Sequence, residues 1–551
     1  MSEQNAAGKD HEKTVSTGEI VLYGTGTICN GLVGSTYNLL TPLMVLALGM
    51  NPVLAGLIMA VKTLWDAVTD PVMASITDNA NTRWGRRRPF ILVGGLLTIA
   101  VVLGIWAFIP VGASVKPNVK KTAAIEQPAV QNNVAAKAGE AASVVAADSA
   151  KETPQPAKPA LPAKSPKKSA WKAIKEGTIL LGNTSVEHKK TFFFLLITLM
   201  VLATTHTMFS VPYYALGIEL SPTYHGRTRV VAYRSMFDSI LSILSPWYLP
   251  FCMMAVFANP IVGMRSLATI IACFALPGVL MAAIYTRERT HVAKARKKVG
   301  VFSSIASVMK NRHFLKIAAI YIILQLSMGL FLQFSLYINI FHVFGGDQAT
   351  AMKFGAMMQA KVGMLGGIMA LTSIPVITWF CKRFQKHNAL RIALGTTSAG
   401  CILNWFCYTP AHPNLQFILP FFFSLGIAST YTVLSTLMAD VTDMDELNSG
   451  TRREGMFGAV MAWMSKGVGS IQALAAGALL VATGFNAQLS HQTVETILRM
   501  RILFSFAPAT CLMLVMLLLY RYPLTRQRME EVKGILDQRK KDAVAAAPAE
   551  A

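Results

Sequence analysis

The chain has 551 residues, of which 53% are hydrophobic and 14% are charged, and its mean hydropathy is +0.45. Apolar runs of about twenty residues, enough to cross a bilayer, recur along its length, so the composition excludes a soluble globular protein and indicates a polytopic helical membrane protein. The formal net charge of +23 raises nucleic-acid binding as an alternative, but the basic residues are spread over loops rather than clustered on a soluble domain.

The predicted elements begin with a polar N-terminal tail, residues 1–19, which lacks the apolar core of a cleavable signal peptide. Hydropathy, with breaks at Pro, Gly and charge clusters, then predicts twelve membrane-spanning helices. The first six lie near residues 20–48, 52–77, 89–111, 191–220, 229–258 and 264–286. The other six lie near residues 313–344, 350–380, 389–410, 415–440, 456–484 and 499–521.

Basic residues occupy every second loop, including a linker at 287–312 and a C-terminal tail at 522–551. Because Lys and Arg are retained on the cytoplasmic side of a membrane, we expect both termini to be cytoplasmic. Residues 111–170, which overlap a predicted extracytoplasmic insertion at 112–190, are rich in Ala, Pro and Lys and contain no aromatic residue. Such a composition cannot bury a core, so we expect a disordered spacer there.

Two carboxylates, Asp66 and Asp70, lie within the second predicted span. A carboxylate in hydrocarbon costs about 2.5–3.5 kcal/mol on insertion scales, so the pair predicts a functional site. A spacing of four residues places both on one helix face, where they can bind either sodium or a proton. Lys62, one turn earlier, is either a partner that tunes Asp66 or a competitor of the cation. A salt-bridge cluster that only joins the two halves is the structural alternative.

Two parts of the chain resemble each other. The fourth span ends at Glu219 and leads into residues 226–229 (GRTR), while the tenth span ends at Asp440 and leads into residues 450–453 (GTRR). Parallel repeats of six helices are typical of major facilitator transporters, whose binding site lies between the repeats. The internal similarity therefore favours two related halves.

Three groups of residues carry a resemblance to a known family. They are 64–71 (LWDAVTDP) with 83–90 (RWGRRRPF), 212–217 (PYYALG) with 227–229 (RTR) and 233–234 (YR), and 439–443 (ADVTD) with 452–455 (RREG) and Lys466. In this order they resemble the glycoside-pentoside-hexuronide:cation symporter family. The resemblance implies an all-α membrane protein of the major facilitator fold, with residues 20–286 and residues 313–521 as its two six-helix bundles.

The resemblance also implies a function. A member of this family is a secondary active transporter of the cytoplasmic membrane, and it couples sodium or a proton to symport of a sugar or sugar-derived solute by alternating access. By resemblance the cation-binding residues are Asp66 and Asp70, which would be the metal ligands if the ion is sodium. Lys466 would be their charge partner.

The resemblance places the solute on the fourth and fifth helices. Arg234 matches a substrate-site arginine of the family, and its planar fork suits hydroxyls or a carboxylate. Asp238, one turn later, is a second candidate or only neutralises this charge. Tyr213 and Tyr214 are expected to pack on a sugar ring, and Tyr431 on the tenth helix is a further candidate.

The chain departs from the melibiose-carrier-like members of the family at its sugar-binding carboxylates. Gly31 and Asn30 stand where those members have an aspartate and a lysine, and Ser210 replaces a further aspartate. A buried site built to hydrogen-bond hydroxyls discriminates strongly through such groups. We therefore include Asn30 and Ser210 among the solute-binding candidates and keep open a hexuronate, a sulfonated sugar or a non-sugar anion.

Charged residues at the cytoplasmic helix ends form a predicted gate. We expect them to pair across these ends and close that face when the site opens outward, while also setting membrane topology. The gating candidates are Asp78, Arg83, Arg86, Arg87, Arg88, Asp440, Asp443, Arg452 and Arg453.

Signals for catalysis are absent from the sequence. Gly24 and Gly26 lie in an apolar helix and lack the third glycine of a nucleotide-binding fold, so they predict close helix packing. The seven cysteines have no metal-ligand spacing, and we expect no cofactor besides the coupling ion. The expected partners are a small polar solute and membrane lipid, without nucleic acid, and the chain is expected to be a monomer. An exporter and a transporter-like solute receptor are the alternative functions.

Overall fold

The computed structural model describes residues 15–80, 82–109, 186–221, 223–288, 308–345, 348–384, 386–450, 453–487, 489, 491–520, 523 and 526–545. Most of the predicted N-terminal tail, the predicted spacer at 111–170 and most of the basic linker lie outside these residues. Arg452 and the side chain of Tyr431 lie outside them as well. The described residues fold into helices joined by short connections.

Helices cover each of the six spans predicted in the N-terminal half. They are α1 (Thr17–Thr25), α2 (Thr27–Leu46), α3 (Pro52–Asn79), α4 (Arg88–Phe108), α5 (Val186–Glu219), α6 (Tyr224–Leu244), α7 (Tyr248–Cys252) and α8 (Pro260–Ile284). A 3₁₀ turn, Ser245–Trp247, joins α6 to α7. The first predicted span is divided between α1 and α2 at Gly26. A Cβ at Gly26 would lie 2.6 Å from Tyr213 Cε2, and one at Gly24 would lie 2.8 Å from Phe237 Cδ2, which confirms the predicted close packing.

Helices also cover the six spans predicted in the C-terminal half. They are α9 (Arg312–Ile338), α10 (Gln348–Arg383), α11 (Lys386–Cys407), α12 (Leu419–Ser449), α13 (Glu454–Ala482) and α14 (Val494–Tyr520). A π-helical turn, Asn339–Val343, extends α9, and a 3₁₀ helix, Pro413–Ile418, precedes α12. Gly450 ends α12 in the left-handed region with φ of 70°, a conformation that costs a glycine little.

Eight helices of the described part are long and apolar enough to cross a membrane. They are Pro52–Asn79, Arg88–Phe108, Lys189–Glu219, Pro260–Ile284, Arg312–Val343, Thr350–Arg383, Met456–Ala482 and Val494–Tyr520. The helices over the other predicted spans do not meet that standard. In α6 the reason is its charged residues, which include Arg227, Arg229, Arg234 and Asp238.

The C-terminal tail contains a further helix, α15 (Arg526–Ala545), where the sequence analysis predicts only a basic tail. Met529, Val532 and Leu536 are buried on one face of α15, and Arg539 Nη1 donates a 3.0 Å hydrogen bond to the carbonyl of Leu447 in α12. Spacings of three and four residues are those of an amphipathic helix. The tail is therefore docked against the end of α12.

The two halves meet most closely along α3 and α13. A Cβ at Gly56 would lie 2.4 Å from the carbonyl oxygen of Ala473, and one at Gly477 would lie 2.3 Å from that of Pro52. The backbones of the two helices are therefore in contact at the N-terminal end of α3. A second contact joins α10 to the turn between α6 and α7. This packing holds α3, with its two carboxylates, at the boundary between the halves.

Candidate functional site

Asp70 contacts both halves of the molecule. Its Oδ2 forms an ion pair with Lys466 Nζ from α13, and its Oδ1 accepts a 2.9 Å hydrogen bond from Thr207 Oγ1 of α5. Lys466 Nζ also donates to the backbone carbonyl of Asp66, 3.2 Å away. The structure thus brings the three predicted cation-site residues together. A movement of one half relative to the other must alter the ion pair between Asp70 and Lys466.

Asp66 has a lysine partner within its own helix. Lys62 Nζ lies 2.6 Å from Asp66 Oδ2 and 3.7 Å from the centroid of the Tyr37 ring in α2. The side chains of Lys62 and Asp66 are only 9% and 13% exposed, so little water screens this pair. Each carboxylate of the predicted cation site is therefore matched by one ammonium group.

A line of hydrogen bonds runs from α5 to α2 beside this charge cluster. The His206 Nε2 atom lies 3.0 Å from Asn30 Oδ1, and Asn30 Nδ2 donates to the hydroxyl oxygen of Tyr214 at 3.1 Å. Ser210, another solute-binding candidate, is buried one turn after His206 on α5. Asn30 therefore makes neutral hydrogen bonds at the position where melibiose-carrier-like proteins have a charged residue.

The solute-binding candidates of α5 and α6 lie next to each other. The guanidinium carbon of Arg234 is 4.7 Å from the centroid of the Tyr214 ring, and Arg234 Nε is 3.7 Å from Asp238 Oδ2. Asp238 Oδ1 accepts a 2.6 Å hydrogen bond from Thr27 Oγ1. Because the contact between Arg234 and Asp238 is long and Tyr214 is 41% exposed, both the guanidinium and the ring remain available to a ligand.

Tyr213 does not belong to the solute-binding surface, and its prediction as a solute contact is wrong. Its side chain is fully buried and stacks on Tyr23, with ring centroids 4.6 Å apart. Tyr213 OH donates to the carbonyl of Tyr23 at 2.8 Å, and Tyr23 OH donates to the carbonyl of Tyr213 at 2.9 Å. These reciprocal bonds join α1 to α5, so Tyr213 is a packing residue.

A Tyr213→Phe substitution is expected to lower stability without changing solute affinity. It removes one buried hydrogen bond, which contributes about 0.5–1.5 kcal/mol to the free energy of unfolding. Thermal unfolding of the purified protein should therefore shift downward, while the KM for uptake stays unchanged. Tyr214→Ala, which removes the exposed ring, should raise KM instead. A larger KM effect at Tyr213 than at Tyr214 would contradict this assignment.

Three of the five predicted gating residues of the N-terminal half, Asp78, Arg86 and Arg87, form one ion-paired cluster with Glu219. Glu219 Oε1 accepts hydrogen bonds from Arg86 Nη2 at 2.6 Å and from Arg87 Nη2 at 2.7 Å. Arg87 also pairs with Asp78 at 3.2 Å, and the Arg88 guanidinium donates to two carbonyls at the end of α8. Arg83 lies in the same loop and is exposed.

The C-terminal half repeats this arrangement. Lys386, the first residue of α11, contacts both carboxylate oxygens of Asp440 in α12 through Nζ, at 2.9 and 2.8 Å, much as Glu219 of α5 meets the bases that precede α4 in the other half. Arg453 forms a two-point ion pair with Asp445, at 2.9 and 2.8 Å, although Asp445 is not among the gating candidates. In each half an acidic residue of one helix therefore meets a basic residue of the same half, and the internal similarity of the sequence stays a prediction.

These gating pairs differ from the expected latch in one respect. The sequence predicts pairing across the cytoplasmic helix ends that holds this face closed, whereas the pairs of Glu219, Asp440 and Asp445 each lie within one half. The physical reason is proximity, because the loop after α3 lies beside the end of α5 and the loop after α10 lies beside α12. In this conformation the charges stabilise each half separately.

Sequence reasoning missed Thr27, Tyr37, Thr207 and Asp445. The sequence does contain a signal for Thr27 and Tyr37, because Thr27, Asn30 and Tyr37 recur with helical spacing in the first span. On α5, His206 and Ser210 are likewise four residues apart, with Thr207 beside them. A polar stripe on an otherwise apolar span therefore indicates the inner surface of the site.

Comparison with known proteins identifies the family. The model of a family described as MFS/sugar transport protein, where MFS is the major facilitator superfamily, matches residues 22–124 and 178–526. The glucuronide carrier protein homolog of Escherichia coli is 20% identical over 495 residues, or 90% of this chain and 89% of that protein. The uncharacterized symporter YjmB of Bacillus subtilis is 22% identical over 540 residues, or 96% of this chain and 97% of that protein. A shorter match, 28% identical, covers 24% of this chain and 25% of an uncharacterized symporter of Synechocystis sp..

A solved structure has the same fold. The nucleoside transporter NupG has a TM-score of 0.54 at 12% identity, and the match covers 92% of this chain and 100% of that one. The relatives are membrane transporters and not enzymes, which confirms that expectation. The resemblance to the glycoside-pentoside-hexuronide:cation symporters is confirmed as well. This chain is thus an integral membrane solute transporter of the major facilitator fold and belongs to the MFS/sugar transport protein family.

Proposed function

We propose that the chain is a secondary active transporter that couples entry of a cation, sodium or a proton, to uptake of a sugar or sugar-derived solute. The observation that carries this proposal is the ion pair between Asp70 of α3 and Lys466 of α13, which joins the two halves inside the membrane. Charged side chains at this depth are costly and mark ion or substrate pathways. Sugar transport in the family description and the symporters among the relatives support the same function.

Coupling follows from competition at Asp70. A cation that reaches its carboxylate weakens the attraction of Lys466, and this loosens a contact between the halves. Thr207 Oγ1 holds the same carboxylate from α5, the helix that also carries Tyr214. Binding of cation and solute together favours the states able to reorient, which is how a cation gradient drives the solute.

The solute surface favours an acidic sugar. Arg234 offers a planar fork to a carboxylate, the exposed Tyr214 ring offers a face for the apolar C–H groups of a sugar, and Asn30 offers neutral hydrogen bonds. The Asp238 carboxylate, which opposes the charge of the guanidinium, lies 3.7 Å from Arg234 Nε and makes only a long contact with it. A hexuronate is therefore the first solute to test, and the glucuronide carrier homolog among the relatives supports that choice.

The proposed membrane arrangement has twelve spans in the cytoplasmic membrane, both termini in the cytoplasm and a monomeric chain. With that orientation, the tight contact of Gly56 with Ala473 lies at the extracytoplasmic side. The intra-half ion pairs of Glu219 and Asp440 then lie at the cytoplasmic side, which corresponds to an inward-facing state. In the outward-facing state the same charges are free to pair across the halves.

The solute class is tested by thermal unfolding of the purified protein with neutral sugars, uronates and sulfonated sugars. We expect a uronate to raise the unfolding temperature. Arg234→Lys should remove this stabilisation, because a lysine cannot contact a carboxylate through a planar fork. Arg499→Lys is the matched control, since Arg499 forms an exposed pair with Glu495 on α14. Equal stabilisation of Arg234→Lys and the wild type would contradict the proposed solute surface.

A further inference from the structure

Lys62 is held in the place that a co-transported metal cation would need. Its Nζ lies 2.6 Å from Asp66 Oδ2, and the Tyr37 ring covers it from α2 at 3.7 Å. A carboxylate on one side and an aromatic face on the other both stabilise an ammonium group that is shielded from water. With 9% of its side chain exposed, Lys62 is a fixed part of the site and not a surface lysine that reaches water.

The second carboxylate is occupied too. Asp70 Oδ2 pairs with Lys466 Nζ, and Asp70 Oδ1 accepts the hydrogen bond of Thr207. The charges that face one another here are Asp66 and Asp70 of α3, Lys62 of α3 and Lys466 of α13. Two carboxylates and two ammonium groups give a cluster with no net charge, so it offers no net attraction to a further cation.

The remaining oxygen ligands do not suffice for sodium. Within the described part of the chain, the buried oxygens at this cluster that lack a hydrogen-bond partner are Asp66 Oδ1 and the hydroxyl of Tyr37. Hard metal cations require several oxygen ligands, and an ion at Asp66 Oδ1 would also be repelled by the nearby Lys62 ammonium. The donor set therefore does not fit sodium while Lys62 holds its present position.

We propose that the Lys62 ammonium is a built-in cation of this site, so that the chain neither binds sodium nor uses a sodium gradient. The inference rests on the proposed function in one respect, because it takes Asp66 and Asp70 to be the cation site. It makes Lys62 the residue that determines ion specificity. Removing this one charge is expected to open a sodium site at Asp66.

The test measures sodium binding to the purified full-length protein without any solute. Equilibrium binding of ²²Na⁺ and thermal unfolding in NaCl against choline chloride of equal ionic strength are compared among four proteins. They are the wild type, Lys62→Met, Lys62→Arg and the double variant Lys62→Met with Asp66→Asn. Lys62→Met is expected to bind sodium at least about tenfold more tightly than the wild type and to be stabilised by it.

The controls separate charge from side-chain volume. Lys62→Arg keeps the charge and should remain insensitive to sodium, and the double variant should lose the site that Lys62→Met gains. Saturable sodium binding by the wild type would overturn the inference, and so would a Lys62→Met protein that gains no sodium binding. If Lys62→Met does not fold, Lys62→Gln retains a donor for Asp66 Oδ2 without the charge and is judged by the same outcomes.

The result is independent of the test of transport. If the wild type accumulates solute and this uptake does not depend on sodium, both proposals are supported. Sodium-driven uptake leaves the proposed symport intact and removes the inference about Lys62. Failure of any solute to accumulate removes the proposed symport, while ²²Na⁺ binding still decides whether Lys62 excludes the ion.

Discussion

Replacement of Asp70 by asparagine is expected to lower gradient-driven solute accumulation about 10- to 100-fold, which corresponds to about 1.4–2.8 kcal/mol of lost coupling. Asparagine keeps the shape of the side chain and can still accept the hydrogen bond of Thr207. It removes the negative charge that pairs with Lys466 across the halves. Uptake in proteoliposomes with an imposed cation gradient measures the loss.

The same proteoliposomes provide the control for this effect. Exchange of labelled for unlabelled solute without a gradient should continue in Asp70→Asn, because the solute surface at Arg234 and Tyr214 is unchanged. Glu495→Gln removes a carboxylate from an exposed ion pair on α14 and should accumulate solute as the wild type does. Full accumulation by Asp70→Asn would show that this carboxylate does not couple the cation.

A Glu219→Gln substitution is expected to produce a large loss of stability. Glu219 is 5% exposed and accepts hydrogen bonds from both Arg86 and Arg87, so its replacement removes the anion that Arg86 pairs with and leaves Arg87 only the exposed carboxylate of Asp78. Breaking a buried ion pair from one side costs about 3–5 kcal/mol. The unfolding temperature of the purified protein should fall well below that of the wild type.

Asp78→Asn is the matched variant for this prediction. Asp78 contacts the same arginine, Arg87, but its side chain is 58% exposed. An exposed pair contributes about 0–1 kcal/mol, so the unfolding temperature should change little. If Asp78→Asn and Glu219→Gln lowered the unfolding temperature equally, burial of the Glu219 cluster would not be the source of its stability.

Much of the fold follows from the sequence because the bilayer imposes it. Helices lie over each of the twelve predicted regions, and eight helices of the described part are long and apolar enough to cross a membrane. The spacing of Asp66 and Asp70 places both on one face, and their approach to Lys466 is expected from the family resemblance. These features depend on local periodicity and composition, which a single sequence contains.

The choice of partners does not follow from the sequence in the same way. Tyr213 and Tyr214 are adjacent and chemically alike, yet one is fully buried against Tyr23 and the other is 41% exposed. Successive residues of a helix point about 100° apart. A small rotation of the helix about its axis, which the sequence does not specify, therefore decides which of the two tyrosines faces the ligand. The pairing of Arg453 with Asp445, which is not a gating candidate, likewise depends on how α12 is rotated.

The division of α1 from α2 and the docking of α15 depend on tertiary contacts. Gly26 predicts close packing, but the ring of Tyr213 that makes it necessary comes from a distant part of the chain. The apolar face of α15 is short and lies in a highly charged segment, so hydropathy alone assigns it to a tail. Its buried Val532 becomes apparent only when α12 is in place.

Concentrative uptake is the most direct test of coupled transport by this chain. The solute is one that stabilises the purified protein, and its concentration inside proteoliposomes is measured twice. The first measurement is made with an inward cation gradient, and the second after an ionophore has collapsed this gradient. We expect the wild type to accumulate solute above the external concentration and to release it when the gradient collapses. Solute that binds but never exceeds the external concentration would contradict coupled symport and would favour a receptor or a facilitator.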